Sequence, residues 1–321
     1  MKMDQALKGF LLMRSADGYS KNTVELYRWA LELMLDYLKN PEVEDITQKD
    51  LLEFFVWLRE GYEPKRRNGS TEPLKPRSIE NIWTAMRSFF NWATSELSLK
   101  TRPDRRIKRP QYDPPEIIPF TQEQVAAMLK ACEYITTKPS EKRRSFTMRR
   151  PTASRDVAII LVLLDTGIRV SECSRLQVRD VNLETGEVHI QPYGTGRKTR
   201  PRTVMLGKKA RKAVWRYLAG REGVADDDYL FVTKQDRRMN RNSIRVLLNQ
   251  IGDQAGIDKS NPHRFRHTFA IFFLRNGGDV FTLKRILGHS RLEMVERYLD
   301  IASSDVKRAH QRASPADKLK I

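Results

Sequence analysis

Between Arg155 and Asp165 the chain reads VAIILVLL, eight apolar residues without a break. A segment apolar on every side predicts a helix with no face left for water, so it must lie inside a core. It is too short to cross a bilayer, and no run of eighteen apolar residues occurs elsewhere. Thr166 and Gly167 end the helix, and Arg169, Ser171 and Glu172 follow at once. An arginine beside a buried helix is costly unless paired, and a salt bridge to Glu172 is the plain structural account of it.

A second stretch gathers chemistry. Residues 261–300 read NPHRFRHTFAIFFLRNGGDVFTLKRILGHSRLEMVERYLD and include His263, Arg266, His289 and Tyr298. Asn261 is a good helix cap and Pro262 suits a first turn, where its missing N–H costs nothing. His263 and Arg266, three apart, then share a face. A second helix over about 280–287 should stop at Gly288, which tolerates the left-handed conformation. Ser290 and Glu293 have capping-box spacing for a third helix carrying Tyr298. Arg266 offers a flat fork of donors to phosphate oxygens, the histidines can move protons near neutral pH, and Tyr298 has a hydroxyl able to act as a nucleophile. Alone, a tyrosine on an apolar helix is usually core, and HxxR is common by chance. The specificity lies in their combination with LKRILGH and the nine-residue step from His289 to Tyr298.

These motifs, HRFRHTFA, LKRILGH and the step to Tyr298, together with TGIRVSE at residues 166–172, resemble the ordered signature of the tyrosine recombinases, the phage-integrase and Xer class. The resemblance spans nearly the whole chain. It implies a mainly α protein with a small antiparallel β-sheet in its C-terminal domain, built as a two-domain DNA clamp. A helical, SAM-like core-binding domain would occupy residues 1–101, a basic Pro-rich linker 102–117, a mixed α/β catalytic domain 118–300 and an oligomerisation tail 301–321. It further implies that Arg169 and Arg266 are catalytic arginines, that His263 and His289 assist them, that Tyr298 is the nucleophile and that Glu172 supports the site from behind. A catalytic lysine is expected in a hairpin turn. Xer-like members carry GKG there, whereas this chain has Thr195 at the lysine position; the KT…RTV pattern of other integrases selects Lys198 instead.

The remaining sequence agrees with such a reading. At 321 residues the chain suits two domains. Its 59 Lys and Arg against 40 Asp and Glu leave a net charge of +19, which calls for a polyanionic partner, nucleic acid before an anionic membrane surface. The start, MKMDQALKGF, has no secretory core, so a cytoplasmic, nucleoid-associated protein is expected. Cys132 and Cys173 lack metal or disulfide spacing, and no Walker loop or GxGxxG appears, so neither metal nor cofactor is expected. Helical periodicity and caps predict four helices before residue 100, with Ser20 or Asn22, Thr47 and Ser78 as openings and an aromatic stripe over 89–92 as core.

The segment TRPDRRIKRPQYDPPEIIPFT reads as a solvated hinge whose Arg102, Arg105, Arg106, Lys108 and Arg109 contact phosphates. Thr121 caps a helix to about residue 134, and the basic stretch 138–154 receives no assignment. Alternation around Val188, Ile190, Val204 and Leu206 predicts a hairpin with a basic tip, where Arg197, Arg200 and Arg202 join the DNA contacts. Helices over 208–218 and from Asn240 or Asn242 to about 252 follow, and Ser304 caps a last one. The expected partners are double-stranded DNA, three further copies of the chain in a homotetramer on paired sites, and accessory or directionality proteins; a membrane is not among them. Two rivals stand beside a recombinase: a monomeric type IB topoisomerase with similar chemistry, and a DNA-binding protein without catalysis.

Overall fold

The computed structural model describes residues 1–66, 69–113, 115–136, 147–193, 201–288, 292–302 and 314, with the backbone alone for 135, 136, 293, 294, 300 and 302. The chain forms two compact units that change over in sequence between Pro115 and Glu116.

The first unit is helical: α1 (Met3–Ala16), α2 (Lys21–Leu38), α3 (Gln48–Glu60) and α4 (Pro76–Glu96). Ser20 opens α2 by accepting from the Thr23 N–H, and Thr47 forms a reciprocal capping box with Asp50 at α3. Helix α4 begins at Pro76 rather than Ser78, because a proline at the first helical position has no N–H to leave unsatisfied. The aromatic stripe is core, as its spacing predicts. Phe89 and Phe90 are fully buried, and Phe10 meets Phe89 edge-on at 5.7 Å between ring centroids. Truncating such a ring to alanine costs about 3–5 kcal/mol.

The basic linker is not a solvated hinge along its whole length. Asp104 is fully buried and takes ion pairs from Arg87 and Arg102, at 3.1 and 2.7 Å. The Trp83 indole N–H donates to the Ile107 carbonyl, and Arg109 and Arg77 both reach the nearly buried Glu80. Residues 102–112 are therefore fastened to α4, inside the first unit.

The second unit contains α5 (Gln122–Ala131), β1 (Tyr134–Thr136), β2 (Thr147–Arg149), α6 (Ala153–Thr166), α7 (Val170–Cys173), β3 (Glu187–Ile190), β4 (Arg202–Met205), α8 (Lys208–Leu218), α9 (Arg241–Gln254), α10 (Pro262–Arg275), α11 (Val280–Leu287) and α12 (Glu293–Ala302). Helix α6 is the apolar run, and its Ala158, Ile159, Ile160 and Val162 are wholly buried. It packs against α8 and α10. Strands β3 and β4 pair antiparallel with Val188 opposite Val204, both buried, which confirms the small sheet read from alternation.

Helix α5 ends at Ala131, short of the expected 134, and a second two-stranded sheet follows: β1 precedes the stretch that received no assignment and β2 lies within it. Its far end is rooted by Arg150, which is buried and donates to Asp156 and to the Gln254 side chain. Cys132 and Cys173 are fully buried, and desolvation pushes both thiols up to about 12, so they act as small apolar residues. The expected capping serine Ser290 and the final helix from Ser304 lie outside the described residues.

Candidate active site

Helix α10 is the platform. The Asn261 side chain accepts from the His263 and Arg264 N–H groups and starts the helix where its sequence predicts. Arg264 locks the first turn to the preceding chain: it donates to the Ile118 carbonyl and the Gln124 side chain and lies 4.1 Å from the centre of the Phe120 ring. Phe265 and Phe269 face inward. The opposite side of the helix then presents His263, Arg266 and His267.

Arg266 is buried. Its guanidinium donates to the Gly167 carbonyl and to the Leu287 carbonyl, each at 2.7 Å, which fixes the plane of the fork. Desolvation first, then the Arg169 charge, pull its pKa down to about 10, so it stays cationic at neutral pH. Gly167 is required at the end of α6. Its φ is +60°, and a Cβ there would meet Phe269 at 2.2 Å. The chain turns at this glycine and delivers Arg169 two residues later.

Arg169 and Glu172 do form the ion pair that a purely structural account expects, at 3.3 Å. The pair is part of a larger arrangement. Glu172 is fully buried in its side chain, accepts from the Arg169 N–H at 2.7 Å, and receives both Arg202 Nη atoms at 3.0 and 2.8 Å. Burial alone would raise the Glu172 pKa; the Arg202 hydrogen bonds and charge, with help from Arg169, outweigh it and hold the carboxyl below its usual range. Arg202 also donates from Nε to the Ile286 carbonyl at 2.6 Å. This corrects the expectation that Arg202 contacts DNA. Its side chain is 8% exposed, and its donors tie β4 to α7 and α11.

Tyr298, on α12, is 4% exposed and packs in a cluster with Leu283, Leu287 and Val295. Its hydroxyl oxygen lies 2.8 Å from Nδ1 of His267. Burial raises the Tyr298 pKa, partly offset by the charges of Arg266 and Arg297. His263 is exposed overall, yet desolvation of its ring and the charges of Arg266 and Arg169 lower its pKa. His267 is pushed down to about 4, by desolvation and then by His263, Arg266 and Arg297, and is neutral at pH 7. His267 is the residue that motif reading missed. The available signal was its four-residue step from His263, which places both rings on one helical face.

The structure thus brings Arg169, Glu172, His263, Arg266 and Tyr298 into one neighbourhood. Lys198, His289, Arg197 and Arg200 fall outside the described residues. Of the linker set, Arg105, Arg106, Lys108 and Arg109 are exposed, Arg109 while bonded to Glu80, and the half-buried Arg102 is bonded to Asp104 and Asn91. Among the described residues no group of three or more His, Cys, Asp or Glu is placed to hold a metal ion, and no helix is long and apolar enough to cross a membrane.

Comparison with known proteins agrees with this architecture. Residues 119–304 match the model of the phage integrase family, and residues 7–98 match the phage integrase N-terminal SAM-like domain. Tyrosine recombinase XerC of Oceanobacillus iheyensis is 28% identical over 306 residues, covering 92% of this chain and 91% of that protein. Tyrosine recombinase XerA of Pyrococcus furiosus is 27% identical over 321 residues, covering 98% and 96%. The fold is shared with the Tn1549 transposon integrase in complex with transposon right end DNA, at TM-score 0.71 and 18% identity over 98% of this chain and 100% of that one. It is also shared with a lambda integrase dimer bound to a core site, at TM-score 0.69 and 14% identity over 92% and 97%.

Proposed function

Since the chain belongs to the phage integrase family, the tyrosine recombinases, we propose that it carries out site-specific DNA recombination with Tyr298 as its nucleophile. The observation that carries the assignment is the Tyr298 hydroxyl at the α10 face, within the field of the buried, cationic Arg266. The phenol oxygen attacks a DNA phosphorus, the bond to the 5′-oxygen breaks, and a 3′-phosphotyrosine with a free 5′-hydroxyl results. Arg169 and Arg266 meet the charge on the equatorial oxygens, each such preorganised donor contributing roughly 3–4 kcal/mol.

Glu172 and Arg202 keep Arg169 in place. His263 accepts the tyrosine proton, His289 adds a hydrogen bond to the phosphoryl group, and Lys198 protonates the leaving oxygen. The phosphotyrosine conserves the energy of the broken bond, so a 5′-hydroxyl from a second duplex can rejoin it without ATP. Two arginines supply the positive charge that a metal would otherwise bring. Exchange between two duplexes needs four nucleophiles, hence a homotetramer on paired sites. The exposed Arg105, Arg106 and Lys108 add sequence-independent phosphate contacts.

The test uses a DNA site that the protein selects from a random-sequence pool, rebuilt as a nicked suicide duplex. A covalent protein–DNA band without added metal or ATP, lost in Tyr298→Phe while binding persists, is the expected result. A bound site that never yields the band, or a band that survives in Tyr298→Phe, overturns the assignment. Sedimentation of the trapped complex separates a tetramer from a monomeric topoisomerase.

A further inference from the structure

The tyrosine hydroxyl is not left to find its own direction. It lies 2.8 Å from His267 Nδ1, with the two rings tilted at 50° and their centroids 5.6 Å apart. The phenol ring is clamped among Leu283, Leu287 and Val295, so its remaining freedom is rotation of the O–H about the C–O bond. We propose that His267 is a positioning residue for the nucleophile: its Nδ1–H donates to the Tyr298 hydroxyl oxygen, which leaves the O–H free to pass its proton to His263 and directs the other oxygen lone pair toward the phosphorus. The proposal rests on Tyr298 being the nucleophile.

The 2.8 Å contact fits either tautomer of the neutral ring, and the positioning role uses the one that carries its proton on Nδ1. His267 is a poor proton sink. An imidazole at about 4 cannot readily take a proton from a phenol raised above its ordinary 10. Burial of the ring is the first cause; His263 and Arg266 on its own helix and Arg297 beside Tyr298 on α12 then add charges that resist a further proton from both elements. The hydrogen bond therefore orients the hydroxyl and does not carry away its proton. In-line attack is sensitive to such aim, since a misplacement of about 1 Å costs roughly a hundredfold in rate.

Amide substitutions separate the roles. Asparagine puts a hydrogen-bonding atom where Nδ1 lies, while glutamine puts it nearer the place of Nε2. On the nicked suicide duplex, His267→Ala and His267→Gln should slow formation of the covalent complex by about ten- to a hundredfold, with unchanged DNA affinity. His267→Asn should recover most of the rate, with the same pH profile as the unsubstituted protein. If His267→Ala does not fold, the Asn and Gln variants alone make the comparison. Equal or faster cleavage by the Ala and Gln variants overturns the proposal. So does an Asn variant no better than Gln, which would mean that the imidazole's proton chemistry matters. Failure of the unsubstituted protein to form any Tyr298 adduct on a site it binds would remove the recombinase reading itself; an adduct unaffected by His267 changes would remove this inference alone.

Discussion

Asp104 and Glu80 in the helical unit and Glu172 in the second unit are carboxylates almost or wholly withdrawn from water, and each is held by two arginines. The arginines differ. Those on Glu80 are 62% and 64% exposed and those on Asp104 35% and 26%; on Glu172, Arg169 is 26% exposed and Arg202 8%. In the helical unit the acid is a buried peg to which surface arginines fasten a passing segment. In the second unit Arg202 is buried with its acid, and that pair becomes part of the framework of the site. Losing the acid is tolerable where its partners can swing into water and severe where they cannot.

The largest test removes the buried acid of the second unit. Glu172→Ala strands Arg202 and should cost about 3–5 kcal/mol in urea unfolding, with loss of DNA cleavage as Arg169 comes adrift. A loss below about 1 kcal/mol would show that Arg202 escapes to solvent and that the two regions do not differ in kind. Asp104→Asn comes next. Its arginines are about a third exposed, so unfolding should shift by about 2 kcal/mol, with the linker more open to trypsin at Arg105 and Arg106.

The pH dependence separates the units differently. All five histidines of the chain lie after Glu116. With its folded pKa depressed to about 4, His267 stays neutral while the unfolded chain, titrating near 6.5, takes up a proton. Stability is thus complete above the unfolded value and declines as pH falls from 6.5 toward 4, by about 1–2 kcal/mol. Hydrogen exchange should show this decline in the second unit and not in the first, and it should shrink in His267→Asn. Glu172, also depressed, adds its own loss only as pH falls further, through its folded pKa. The smallest effect belongs to Glu80→Gln, whose arginines are the most exposed; unfolding should change by less than about 1 kcal/mol.

Much of this was legible locally. Thr47, Thr121, Asn240 and Asn261 cap the helices that their side chains announce, and Gly288 ends α11 in the left-handed conformation, at φ +65°. These signals act over four or five residues, and sequence carries them directly. The run before Gly167 was legible because an all-apolar helix has one destination.

Long-range pairing was not legible. Arg202 sits in a basic hairpin that reads as solvated, and only folding brings it to a glutamate thirty residues away. Arg102 and Arg109 look like part of a free basic cluster until Asp104 and Glu80 are seen beneath them. Strands β1 and β2 are three residues each, and β2 is exposed throughout, so no alternation marks it. His267 hid beside a stronger motif, since its importance depends on where α12 places Tyr298.

The carbonyls that hold Arg266 have a consequence of their own. One belongs to Gly167, the C-cap of α6, and the other to Leu287, the last residue of α11. Each lies at the negative end of a helix macrodipole, equivalent to about half an elementary charge. Two helices thus converge their C-termini on one guanidinium and stabilise its charge with neutral groups. These dipoles belong to the backbone and stay in place when an anion arrives. Their field need not be rebuilt at each encounter, so the ends of α6 and α11 act as fixed solvent for the arginine.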